Sequence, residues 1–218
     1  MMEVNLIACS KPTAYSECDT AEQLVAYAAR VSNPANQNNT ATAGKLVRYL
    51  IKENHWSPLE MVHLTMEIKT TRDISRQILR HRSFSFQEFS QRYAMSTEFT
   101  NTREARLQCP SNRQDSLVTN DQELMDSWVS KQELALEASL DAYTWALDSG
   151  IAKEQARAVL PEGLTGTTLY MAGSLRSWIH YCQLRMAHGT QLEHMDIAKR
   201  CWEVIGEEFP DVVASLQS

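Results

Sequence analysis

Between Arg72 and Arg92 the chain places five of its fourteen arginines, with Asp73 and Glu88 as the only acids and no lysine. Arginine presents a planar fork of donors that grips phosphate or carboxylate bidentately, which the point charge of lysine does not. The whole protein, 218 residues long, carries a formal charge of −6. A cationic island on an acidic protein suits a small anionic ligand better than a long polyanion, so no general nucleic-acid partner is expected. The second half of the island reads Arg80-His81-Arg82-Ser83-Phe84-Ser85-Phe86-Gln87-Glu88-Phe89-Ser90-Gln91-Arg92-Tyr93. Its Ser, Gln and Glu side chains set hydrogen-bonding groups among the cations. Phe84, Phe86, Phe89 and Tyr93 would either stack on a ring or fill a core. Two alternatives stand beside the anion site: a solvated or ion-paired arginine face, and a single-stranded nucleic-acid groove, which also combines cations with aromatics.

These residues need elements to hold them. Val62, Leu64, Met66 and Ile68 alternate with His63, Thr65, Glu67 and Lys69, which predicts a half-buried strand over 62–70. A helix over 72–81 would put Arg72, Arg76 and Arg80 on one face and Ile74 and Ile78 roughly opposite, before a Ser/Gln/Glu loop. Upstream, 3–9 reads as a strand, 20–31 and 42–53 as helices, and 32–40 as a loop. Thr119-Asn120-Asp121-Gln122 resembles a capping box opening a long helix, about 120–149, that stops at Gly150. Its expected apolar stripe is Leu124, Trp128, Leu136, Leu140, Tyr143 and Leu147. A strand over 164–172 and helices over 174–187 and 191–208 complete the chain. Trp128, Trp145, Trp178 and Trp202 are expected at helix interfaces. The pattern lacks regular βαβ alternation, so the fold class is α+β: one domain, residues 1–218, with a mixed or antiparallel sheet flanked by helices.

Composition excludes several classes. Hydrophobic residues make up 43% and charged residues 22%, as in ordinary globular chains. No apolar run is long enough to span a bilayer, and Met1–Asn5 is neither basic nor followed by a long apolar stretch. We therefore expect no membrane partner, no secretory leader and a cytoplasmic location. The five cysteines are scattered without a Cys-x-x-Cys pair, against a disulfide framework or zinc site. His180, His188 and His194 are eight and six apart, not the i, i+4 pair of zinc helices, so no metal is expected.

Arg80-His81-Arg82, seven residues, Ser90 and then Arg92 is similar to the signature of flavin-dependent thymidylate synthases. Four further segments resemble that family in the same order: Ala29-Arg30-Val31-Ser32, His55-Trp56-Ser57-Pro58-Leu59-Glu60, Ala156-Arg157-Ala158-Val159-Leu160-Pro161, and Leu184-Arg185 with Gln191-Leu192-Glu193. The resemblance spans roughly residues 29–195. It implies methylation of deoxyuridine monophosphate (dUMP) at C5, with 5,10-methylenetetrahydrofolate as carbon donor and FAD, reduced by NADPH, as hydride source. It further implies a homotetramer whose active sites are shared between subunits.

By the same resemblance, Arg80, His81 and Arg82 would contact the flavin, and Ser32, Ser57, Glu60, Ser174, Arg176 and His180 would lie near FAD. His55 would lie near flavin and folate. Gln77, Arg80, Glu88, Ser90, Gln91, Arg92 and Arg157 would bind the nucleotide, Glu88 also touching the cofactor. Arg185 is the expected catalytic residue and a nucleotide contact, its guanidinium favouring a charge-shifted uracil ring that accepts hydride. Its alternative is an ion pair at a helix end. Ser90 lacks an adjacent base and orienting group, so it is expected as a phosphate ligand rather than a nucleophile, with no enzyme–nucleotide adduct. The chain departs from the family at Gln87, Gln91, Ser174 and His180, each of which keeps hydrogen-bonding capacity.

Overall fold

The computed structural model describes residues 2–96, 98–100 and 102–216. The chain begins with β1 (Glu3–Cys9), α1 (Ala21–Ala29) and α2 (Ala43–Lys52), followed by β2 (His63–Thr71), α3 (Arg72–Ile78) and β3 (Ser85–Glu88). A short hairpin, β4 (Arg106–Gln108) and β5 (Ser116–Val118), precedes the long α4 (Gln122–Asp148). Then come α5 (Lys153–Ala156), β6 (Gly166–Ser174), α6 (Leu175–Arg185), α7 (Leu192–Glu208) and α8 (Pro210–Leu216).

The period-two alternation in β2 does what it implies. Leu64, Met66 and Ile68 are almost wholly buried, while the residues between them keep contact with solvent. Burying each such side chain contributes roughly 1.5–3 kcal/mol. β2 pairs antiparallel with β6 along its full length, from His63 opposite Ser174 to Thr71 opposite Gly166. β1 flanks β2 and β3 flanks β6, so the sheet order is β1-β2-β6-β3 with every pairing antiparallel. Helices α6 and α7 cover the sheet, and the indole Nε1 of buried Trp178 donates to the Leu64 carbonyl at 3.2 Å. This is an α+β fold.

Several expectations need correction. Helix α3 stops at Ile78 rather than 81, because Arg80 N donates to Gln77 O and His81 N to Ile78 O, tightening the chain into i→i−3 turns. Arg80 and Arg82 therefore leave the helix face. The expected loop at 85–88 is a strand, since its Ser-Phe-Gln-Glu alternation finds an open edge on β6. Phe84 is buried and Phe86 packs on the core, whereas Phe89 is exposed.

The cap of α4 is Asp121, whose carboxylate accepts from Leu124 N at 3.0 Å, rather than Thr119. Gly150 does end that helical segment, in the left-handed region at φ 80°. Most of the expected α4 stripe is not core: Leu124, Trp128 and, nearby, Leu134 and Trp145 are exposed, and only Gln132, Tyr143 and Ala146 are buried. The reason is geometric, since α4 packs on the short segment 153–160 and not on the sheet. The hairpin β4–β5 and helix α8 add to the elements that the sequence pattern predicts. Among the described residues no helix is long and apolar enough to cross a membrane.

Candidate active site

Strands β2 and β6 set the layout. The Thr71 end of the pair leads directly into α3, and the Ser174 end leads directly into α6. Eight residue steps separate the two ends, about 26 Å of extended chain. Most of the expected site residues lie at these two ends and around the contact of His81 with Arg185.

At the Thr71 end, a 370 Å³ pocket is lined by Arg72, Arg76, Gln91 and Arg157 together with Glu154 and Glu162. Arg72 is buried in the first turn of α3, its Nη1 3.7 Å from Glu88 Oε1. That same carboxylate oxygen accepts from Ser75 Oγ at 2.8 Å and Thr167 Oγ1 at 3.0 Å. Glu88 is thus the fixed counter-charge of Arg72. Burial lowers the Arg72 pKa from its ordinary value. Gln91 is buried, its Nε2 donating to Ser96 Oγ at 2.7 Å, and Arg157 Nε donates to Glu154 O at 3.3 Å. Arg92 lies 3.5 Å from Glu154 on the exposed rim. Ser90 forms the turn between them, its carbonyl accepting from Tyr93 N and Ala94 N at 3.1 Å. Of the expected nucleotide residues, the fold therefore brings Glu88, Ser90, Gln91, Arg92 and Arg157 together. Arg72 and Arg76, which lie outside the family signature, join them. Their four-residue spacing is the sequence signal that puts both on one face of α3, lining the same pocket.

Just beyond the end of α3, His81 meets the last residue of α6. Arg185 Nε, in the last residue of α6, donates to His81 Nε2 at 2.8 Å. His81 must then carry its proton on Nδ1. Burial, and next the Arg185 charge, depress its pKa from 6.5 to about 4, so the ring is a neutral acceptor. Its edge meets Tyr181, ring centroids 4.9 Å apart. Gln77, one turn before Arg80, donates from Nε2 to Gln191 Oε1 at 2.7 Å. Arg80 and Arg82 are exposed, and among the described residues neither guanidinium has an ion-pair or hydrogen-bond partner.

At the Ser174 end, Arg176 donates to Glu60 Oε1 at 2.9 Å, and the Ser174 hydroxyl donates to Glu60 Oε2. The Ser174 hydrogen bond, followed by the Arg176 contact, lowers the Glu60 pKa despite partial burial. Ser174 also caps α6, its Oγ accepting from Ser177 N at 3.2 Å. This double duty explains how so short a side chain is held in place. His180 stacks edge-on against Trp56 at 4.9 Å, and burial and then Arg176 lower its pKa. Ser57 opens the turn that carries Glu60. His55 and Ser32 stand apart: His55 is exposed beside Tyr49, and Ser32 is exposed at the end of the 30–32 turn.

One chain thus supplies an arginine pocket, a neutral His–Arg pair and an acid–arginine–serine cluster. Comparison with known proteins gives a consistent match. The profile of the family described as thymidylate synthase complementing protein matches residues 14–211. The chain is 48% identical over 215 residues to a probable flavin-dependent thymidylate synthase of Paramecium bursaria Chlorella virus 1, covering 99% of both chains. It is 47% identical to the flavin-dependent thymidylate synthase of Synechocystis sp., covering 99% of this chain and all of that one. Among solved structures, the UMP/dUMP methylase PolB from Streptomyces cacaoi, bound with 5-Br dUMP, superimposes with a TM-score of 0.84 at 27% identity, over 100% of this chain and 95% of that chain.

Proposed function

The chain belongs to the thymidylate synthase complementing protein family, and on that premise we propose that it is a flavin-dependent thymidylate synthase. The reaction is reductive methylation of dUMP to dTMP with 5,10-methylenetetrahydrofolate as carbon donor, FAD as cofactor and NADPH as reductant. No covalent enzyme–nucleotide adduct forms. The observation that carries this reading is the Arg185–His81 hydrogen bond, which joins the expected catalytic arginine to the arginine-rich signature.

The residues present suit a flavin dinucleotide. Arg80 and Arg82 flank His81 as exposed cations without a protein counter-ion among the described residues, the donor set a pyrophosphate requires. Arg176 adds a guanidinium already oriented by Glu60. When bound, the flavin supplies the hydride for the uracil ring. The chain's own residues do the rest by position and charge. Arg72, Arg76, Gln91 and Arg157 bind the nucleotide phosphate, with Ser90 and Arg92 at the rim, and Glu88 holds Arg72 in place. Gln77 hydrogen-bonds the nucleotide. The neutral His81 ring fixes Arg185 through Nε, leaving its terminal nitrogens free to hold negative charge developing at the uracil edge.

Two features support active sites shared in a homotetramer. The arginine pocket and the Glu60–Arg176 cluster sit at opposite ends of one strand pair, about 26 Å apart by strand length. The exposed Leu124, Trp128 and Trp145 give α4 apolar surface open to solvent in the single chain. Unpaired cysteines among the described residues suit a reducing cytoplasm.

The test is direct. The purified protein should be yellow, and dUMP should perturb the flavin spectrum. A colourless protein that stays spectrally silent with added FAD would rule the proposal out. Binding to single-stranded nucleic acid that weakens steeply with salt would favour the groove reading of the arginine segment instead.

A further inference from the structure

We propose that His194, which has no part in the machinery above, is a positioning residue that orients Gln77 and through it the nucleotide. The inference rests on the thymidylate synthase reading. His194 lies in α7 and is fully buried. Both ring nitrogens are engaged: Nε2 is 3.1 Å from the Tyr181 hydroxyl, and Nδ1 is 3.3 Å from Gln77 Oε1. Gln77 Nε2 in turn lies 2.7 Å from Gln191 Oε1. Burial, and then the charge of Arg185, pull the imidazole down to about 3, so the ring is neutral.

A neutral imidazole offers one donor and one acceptor. The amide nitrogen of Gln77 faces an acceptor on Gln191, which turns the amide oxygen toward His194. His194 must then give its Nδ1 proton to that oxygen and accept at Nε2 from the Tyr181 hydroxyl. The chain runs one way, from Tyr181 to His194 to Gln77 to Gln191, and each bond sets the direction of the next. Gln77 is held from both sides and keeps one amide hydrogen for a ligand. Remove the His194 donor and the amide is free to turn.

The experiment compares dUMP affinity and bound flavin in the FAD-loaded protein and three variants. His194→Leu keeps apolar volume but no donor, His194→Asn places an amide N–H where Nδ1 stands, and Tyr181→Phe removes only the hydroxyl. We expect His194→Leu to bind dUMP about tenfold more weakly with flavin content unchanged. His194→Asn should recover affinity to within about threefold of the parent, and Tyr181→Phe should lose about threefold. Parent-like affinity in His194→Leu overturns the proposal. So does equal weakness in His194→Asn and His194→Leu, which would mark a packing role. Nitrogen-15 spectra of the histidine side chains give a readout independent of activity: His194 must be the Nδ1–H tautomer. An Nε2–H tautomer means that the chain runs the other way and overturns the assignment, even if a variant fails to fold. A parent that binds neither flavin nor dUMP defeats the functional reading instead, and the tautomer alone then decides the orientation of Gln77.

Discussion

Arg185 and His81 are 104 residues apart in sequence, yet the Nε of one donates to the Nε2 of the other across 2.8 Å. The bond joins the turn that follows α3 to the last residue of α6, two helices that start from opposite ends of one strand pair. It holds a guanidinium in one plane by a ring that is itself uncharged.

Arg185→Lys should therefore lower kcat at least about a hundredfold, because lysine keeps the charge but has no Nε to anchor and no planar fork to present. Flavin content should stay near the parent's. Steady-state turnover beside the flavin absorbance of the same sample checks this, and parent-like kcat would remove Arg185 from the chemistry.

The His81 imidazole should not titrate between pH 8 and 5.5. Its native pKa of about 4 lies below its ordinary 6.5, so between those values the unfolded chain binds a proton that the native ring refuses. The group thus favours the native state fully above 6.5 and loses that contribution as pH falls toward 4. Nuclear magnetic resonance titration of the histidines is the measurement. An inflection near 6.5 assigned to His81 would mean that the ring is not buried beside the Arg185 charge in solution.

Arg157→Ala should weaken dUMP binding tenfold or more, roughly the worth of one charge-assisted hydrogen bond. Thermal stability should barely move, since the hydrogen bond that Arg157 makes to the Glu154 carbonyl is a long one of 3.3 Å. Calorimetric titration with dUMP separates this from a folding defect, in which both quantities would fall together.

Gly173→Ala should destabilise the fold by about 2 kcal/mol, lowering Tm by roughly 4–8 °C. A Cβ on this β6 residue would stand 2.5 Å from Phe84 Cδ1, and Phe84 is itself pressed against Trp178 at 4.9 Å. Phe84→Leu in the same chain should recover part of the loss. A Tm equal to the parent's in the single variant would contradict this packing.

Glu22→Gln should stabilise the protein on the order of 2 kcal/mol at pH 9 and change little at pH 5. Burial raises the Glu22 carboxyl from 4.5 to about 7, so the native chain binds the extra proton between those values and stability falls as pH rises through 7. Glutamine cannot ionise, and its amide oxygen can still accept from Val212 N as Glu22 does at 3.1 Å. Urea denaturation at the two pH values decides it. A gain that is equal at both would show that the benefit is not one of ionisation.

Much of the chemistry is legible in the amino-acid sequence. Residue type and spacing place the arginine island beside Ser, Gln and Glu, the alternation at 62–70 marks the central strand, and ordered segments from Ala29 to Glu193 point to one family. These signals are local, because side-chain period and donor chemistry are written in neighbouring residues. The helix end at Ile78, the strand at 85–88 and the bare face of α4 are not legible there, since each depends on what lies across space: a tightening turn, an open β6 edge, and a core that α4 does not reach. The same holds for the site's internal order. That Glu88 neutralises Arg72, that Ser174 both caps α6 and holds Glu60, and that His81 meets Arg185 are contacts between segments far apart in the chain, brought together around the antiparallel pair of β2 with β6. Sequence by itself determined which groups could bind a phosphorylated ring. Only the tertiary structure decided which of them face one another, because hydrogen bonds and ion pairs form across distances that chain spacing does not encode.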